Sequence, residues 1–121
     1  MRIEPPLPDH AILVRGGFLK FDEIKRDCSK ALEKINFYGF SVLSIQGKSA
    51  LEIYDSKKQL HVPFDFIRVV EVGQIRALGL QVLPTLAENH YTIVHVEPLD
   101  YSVFSKLDAV FSAPMNMKEQ V

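Results

Sequence analysis

The sequence predicts a single α+β domain, with a mixed or antiparallel sheet of about five strands and about three helices. Three observations predict it. Helical periodicity lies at Phe21 to Phe37, at Ala50 to Lys58 and after Asp100, whereas short apolar runs of strand character cluster between residues 66 and 96. That distribution departs from the regular alternation of a doubly wound sheet. The connections are also short, which suits antiparallel neighbours. A chain of 121 residues fits one domain, and 47% hydrophobic residues suffice for its core.

Each element has its own warrant. Residues 1–9 carry three prolines and read as an extended arm before a domain spanning 10–111. His10 to Val14 is a short apolar strand, stopped by Gly16-Gly17. In the first helix Phe21, Ile24, Cys28, Ala31, Leu32 and Ile35 keep helical spacing, and Lys25, Arg26, Asp27, Lys30, Glu33 and Lys34 fill the other face. Asn36 and Gly39 bracket its end. Phe40 to Ile45 is the second strand, ended by Gly47. Ser49-Ala50-Leu51-Glu52 is a capping box for a short second helix.

Phe66 to Val72 reads as the third strand, and Gln74 to Leu78 as one helical turn closed by Gly79. Leu80 to Leu83 and His90 to Val96 are the last two strands, ended by Pro84 and Pro98. Asp100 caps the final helix, with Leu99 and Phe104 spaced as a hydrophobic staple. Tyr101, Phe104, Leu107 and Phe111 form its apolar face. Residues 112–121 show no periodicity and are expected to be a flexible tail.

The net charge of −1 exerts no overall pull toward nucleic acid or an anionic membrane, so neither is expected as a partner. Cys28 is the single cysteine, which excludes an intrachain disulfide and favours a cytoplasmic setting. The opening residues lack the apolar run of a signal peptide, and no segment approaches the ~20 apolar residues of a membrane span. Any export is therefore expected to use a signal-independent route.

Three segments carry polar groups inside strand-like runs. In Arg15-Gly16-Gly17, two glycines allow backbone N–H groups to converge on an anion, and Arg15 supplies a planar fork for phosphate. The plainer alternative is a snorkelling arginine at a strand end, followed by a turn. Ser41 shares a strand face with Leu43 and Ile45, where a hydroxyl needs a hydrogen-bond partner, functional or not. His90 and Thr92 point to one face of their strand, and Tyr91, Ile93 and His95 to the other. A His-x-Thr pair suits phosphate, and the alternative is a polar strand end at the sheet rim. Glu88 and Glu97 are the acids nearest this set, and a solvated rim charge is the ordinary reading of both. His61, His90 and His95 do not have zinc spacing, so no metal is expected.

The chain resembles type VI secretion effector toxins of ADP-ribosyltransferase-like fold, which arrest growth from within the bacterial cytoplasm. The resemblance rests first on His90-Tyr91-Thr92-Ile93, followed by Pro98, Tyr101, Leu107-Asp108 and Phe111. Gly39-Phe40-Ser41-Val42 resembles that family's Gly-Thr-Ser-Val segment, whose serine matters for toxicity, and Leu13-Val14-Arg15 resembles its first strand. Phe40 stands where the family has threonine, and the stretch between Arg15 and Ser41 is shorter here. The resemblance implies NAD as cofactor. Arg15 would then pair with the pyrophosphate, assisted by the Gly16 and Gly17 amides, and Thr92 would join this binding set. Ser41 would fix the nicotinamide ribose or the chain that presents it, Tyr91 would stack on the nicotinamide, and His90 would join them in the catalytic set. A carboxylate should face the positive charge developing on the ribose, and Glu97 is the candidate for that role.

By analogy such a toxin has a neutralising immunity or antitoxin partner. Two other readings stand beside it: a non-enzymatic protein-binding module, either an immunity or antitoxin-type partner or a subunit of a larger complex, and a phosphoester or RNA enzyme using His90 and Thr92.

Overall fold

The structure, a computed structural model, describes residues 5–59, 65–86, 88–94 and 99–116. Its elements run β1 (Ile12–Gly16), α1 (Phe21–Ile35), β2 (Gly39–Leu43), α2 (Ala50–Gln59), β3 (Phe66–Glu71), α3 (Val72–Ala77), β4 (Gln81–Pro84), β5 (His90–Val94), α4 (Tyr101–Val110) and β6 (Met115–Asn116). The strands form one open six-stranded sheet in the order β4-β5-β2-β1-β3-β6. Every neighbouring pair in it is antiparallel.

Strand alternation sends consecutive residues to opposite faces, and that divides the core in two. Leu13, Phe40, Val42, Val70, Tyr91 and Ile93 join Ile24 and Cys28 of α1, Val72 and Ile75 of α3, and Leu107 of α4. Val14 and Ile67 face the other way and pack with Ile53 and Tyr54 of α2. The short-range signals act as read: Ser49 and Glu52 form the capping box of α2, and the Asp100 carboxylate accepts from the Val103 N–H at 2.8 Å.

The sheet has one strand more than the five expected, because β6 lies in the segment expected to be a tail. Its pairs are Phe66↔Asn116 and Ile67↔Met115. Two residues are too few to show periodicity, and the strand is set by contacts distant in sequence. Ser112 N–H donates to the Val69 carbonyl at 2.7 Å, and Val69 N–H donates to the Ser112 hydroxyl at 3.0 Å. The helices are also one more than expected. The turn expected at Gln74 to Leu78 is α3, and a capping box between Glu71 and Gln74 starts it directly from β3.

Residues 7–9, within the expected arm, strap onto α3. Leu7 is 4% exposed, the Asp9 carbonyl accepts from Gly73 N–H at 2.8 Å, and Arg76 donates to the Leu7 carbonyl and the Asp9 carboxylate.

Among the described residues Arg68 is the buried charge of this architecture. From β3 its guanidinium donates to the Ser112 carbonyl at 2.6 Å, the Asp108 carboxylate at 2.5 Å, and the Asp108 and Phe111 carbonyls. It therefore satisfies one carbonyl of the last turn of α4, that of Asp108, and those of Phe111 and Ser112 just beyond the helix. Among the described residues no helix is long and apolar enough to cross a membrane.

Cys28 is fully buried, and its thiol is pushed up to about 12, first by burial and then by the neighbouring Asp27 charge, with Arg15 opposing. The native state thus holds the protonated thiol. Its contribution to stability is complete below the ordinary value of 9.0 and is lost as pH rises toward about 12. Cys28 is expected to resist a thiol-specific reagent in native buffer at neutral pH and to react fully in urea. Rapid native labelling would show that the site opens.

Candidate functional site

The centre of the sheet contains a seam. The ladder between β1 and β2 is limited to Val14↔Leu43, whereas β2 and β5 pair from Gly39↔Val94 to Leu43↔His90. Side chains stitch the seam on both sides of that single pair. Ser44 donates its hydroxyl to the Ile12 carbonyl at 2.7 Å, and Arg15 donates Nη1 to the Ser41 carbonyl at 2.8 Å. The same guanidinium pairs with Asp27 of α1 and lies over the Phe40 ring. Arg15 is thus a structural tie among β1, β2 and α1.

A groove of about 170 Å³ opens beside this tie. Its floor comes from the β2–β5 pair: Ser41 and Thr92 are direct cross-strand partners, and His90 follows two residues along the same face. Its wall is α1, which contributes Asp27, Lys30 and Lys34. Leu86 closes it from the β4–β5 hairpin. That hairpin turns through two non-glycine residues of positive φ, Leu86 at 56° and Asn89 at 67°. Asparagine tolerates this conformation, but leucine carries a strain of roughly 1–2 kcal/mol there. Leu86 is also 56% exposed, so burial does not offset the strain.

Buried hydroxyls hold the histidine. Thr85 and Thr92 share a hydrogen bond of 2.7 Å, and the Thr85 hydroxyl lies 3.0 Å from His90 Nδ1. The Thr85 carbonyl is 3.2 Å from the same nitrogen. With Nδ1 protonated the ring donates to that carbonyl, and with Nδ1 bare it accepts the Thr85 hydroxyl. Either tautomer is anchored.

Arg15, Gly16 and Gly17 line a different hollow of about 330 Å³, together with Phe18, Lys20 and Glu23. Arg15 belongs to this hollow and its partner Asp27 to the groove, so their ion pair stands between the two.

The expected site residues therefore divide. Ser41, His90 and Thr92 share the groove. Arg15, Gly16 and Gly17 line the neighbouring hollow, across the Arg15–Asp27 pair from the groove. Tyr91 projects to the opposite face of its strand, where it is 7% exposed within the main core, and it does not line the groove. Glu97 lies outside the described residues. Among the described residues no group of three His, Cys, Asp or Glu side chains could hold a metal ion.

Sequence reasoning missed Asp27, Lys30, Lys34 and Thr85. One local signal existed for the lysines. Like charges at i and i+4 disfavour a helix by a few tenths of a kcal/mol, although Lys34 also suits the last turn of α1, where carbonyl partial charge is negative. Thr85 had no comparable signal, because its role depends on the hairpin register.

Comparisons with protein-family models, curated proteins and solved structures returned no match for this chain.

Proposed function

We propose that the protein is a growth-inhibiting toxin acting in the bacterial cytoplasm, of ADP-ribosyltransferase-like fold, with NAD as its cofactor. One observation carries the reading: Ser41 and the His90–Thr92 pair, from two separate strand segments, line a single groove whose α1 wall brings two lysines. Hydroxyls, an anchored imidazole and cations suit a sugar-phosphate ligand. Bound NAD would supply an ADP-ribosyl group through its nicotinamide–ribose bond. A groove of about 170 Å³ fits one end of such a molecule, the nicotinamide riboside end on this reading. Ser41 and Thr92 then orient the ribose, and His90 exchanges the proton of the accepting group. Tyr91 has no part in stacking, because it faces the main core.

Tightly induced expression in a bacterium tests the reading. The unaltered chain is expected to arrest growth, and Ser41→Ala and His90→Ala are expected to relieve it at matched protein levels. Turnover of NAD by purified His90→Ala should fall at least ~100-fold, with its melting temperature retained. Normal growth with abundant folded, unaltered protein would overturn the toxin reading. Arg15→Ala is unsuitable here, since it also cuts the tie among β1, β2 and α1.

A second reading, a non-enzymatic immunity or antitoxin-type binding module, is favoured by one surface feature. Tyr101 is 68% exposed and stacks with Phe21 at 5.0 Å, leaving an aromatic cluster at the junction of α1 and α4. Absence of growth arrest would move the assignment to this reading.

A further inference from the structure

The wall of the groove does not end at Asp27. Glu23 lines the hollow beyond, and Glu23, Asp27, Lys30 and Lys34 recur at spacings of four, three and four residues. In a helix that spacing places all of them on one face. The two hollows therefore lie end to end along α1, and the Arg15–Asp27 pair is what divides them. At about 170 Å³ the groove falls below the usual range for small-molecule sites, roughly 300–1,000 Å³. With the neighbouring hollow of about 330 Å³ added, the pair falls well inside that range.

We infer that the groove and the hollow are two halves of one channel for an elongated ligand with a central phosphate or pyrophosphate, and that this anion takes the place of Asp27 on Arg15. The inference rests on the reading of the groove as a ligand site. The chemistry of the partition supports exchange. A guanidinium N–H pairs with a carboxylate or a phosphate oxygen alike, so the anion can take the Nη2 contact that Asp27 holds without rebuilding the site. Arg15 is reachable from the hollow that it lines. Its donation to the Ser41 carbonyl uses Nη1 and its contact with Asp27 uses Nη2, so the seam can stay tied while the anion is exchanged. The displaced carboxylate has a second cation at hand, since Lys30 lies three residues along the same helix face. Asp27 thus occupies the channel in the resting protein and competes with the ligand.

Calorimetric titration with inorganic pyrophosphate and with NAD tests this on the full chain and on Asp27→Asn. Removing the competing charge is expected to tighten pyrophosphate binding about tenfold, or about 1.4 kcal/mol. Carbon-detected NMR on the unaltered chain provides a check that needs no variant: pyrophosphate should shift the Asp27 carboxyl and Arg15 guanidinium signals together. If pyrophosphate behaves so and NAD does not bind, the channel stands and the NAD reading fails. If NAD binds while those signals stay still and Asp27→Asn is neutral, the channel fails and the NAD reading stands. Binding of neither compound overturns the channel, and so does pyrophosphate binding that Asp27→Asn leaves unchanged or weakens without loss of fold.

Discussion

Arg68→Met is expected to lower stability by about 3–5 kcal/mol, read from the shift in urea midpoint at unchanged slope. The side chain is 8% exposed, and its loss leaves the carbonyls of Asp108, Phe111 and Ser112 without their donor. A buried carbonyl stripped of its partner costs about 1–3 kcal/mol; the Phe111 bond is buried and those to Asp108 and Ser112 are part-buried, so it takes the three together to reach the predicted range. The Asp108 charge adds little, because that side chain is 48% exposed and water screens it. Asp108→Asn should therefore cost under ~1 kcal/mol. This contrast separates carbonyl capping from ion pairing. A total stability of about 5–15 kcal/mol is usual for a domain, so the loss of Arg68 alone would bring the fold near its limit. Comparable midpoints for the two variants would sink the argument.

The same arginine shows what the sequence can and cannot reveal. Arg68 sits in a strand run that reads as apolar, and nothing within several residues marks its partners, which lie about forty residues on. Features that close within a few residues were legible. The Ser49–Glu52 box, the Asp100 cap and the alternation separating His90 and Thr92 from Tyr91 all stand as read. Register was not legible. That Ser41 lies opposite Thr92 follows from how β2 and β5 meet, and no local pattern encodes that meeting. Arg15 shows the intermediate case. Its chemistry as a planar fork was readable, but the fork holds the Ser41 carbonyl and the Asp27 carboxylate, which a helix brings from twelve residues away. The candidate site was therefore visible as residue types, and only the fold could assign partners.

Gly39→Ala is expected to be as damaging as any change in the groove, with a loss of at least ~3 kcal/mol and altered β2–β5 pairing. Gly39 reads in the sequence as a helix-ending residue, but its main constraint comes from the neighbouring strand. A Cβ at this position would overlap the Ile93 carbonyl oxygen, and would lie 2.8 Å from the Thr92 methyl and 2.9 Å from the Ile93 carbonyl carbon. The methyl can turn, but the peptide group cannot move without breaking the ladder that runs from Gly39↔Val94 to Leu43↔His90. Overpacking against flexible side chains costs about 1–3 kcal/mol, and a fixed backbone obstacle puts this case at or above the upper end. Gly47→Ala isolates the conformational part of a glycine's role. Gly47 has φ of 82° and open space around its missing Cβ, so its replacement should cost only about 1–2 kcal/mol. Two-dimensional amide spectra should then show Gly39→Ala shifting Ser41, His90 and Thr92, while Gly47→Ala leaves them in place. Equal midpoints for the two variants, with the groove signals unmoved in both, would mean that β2 does not approach β5 this closely.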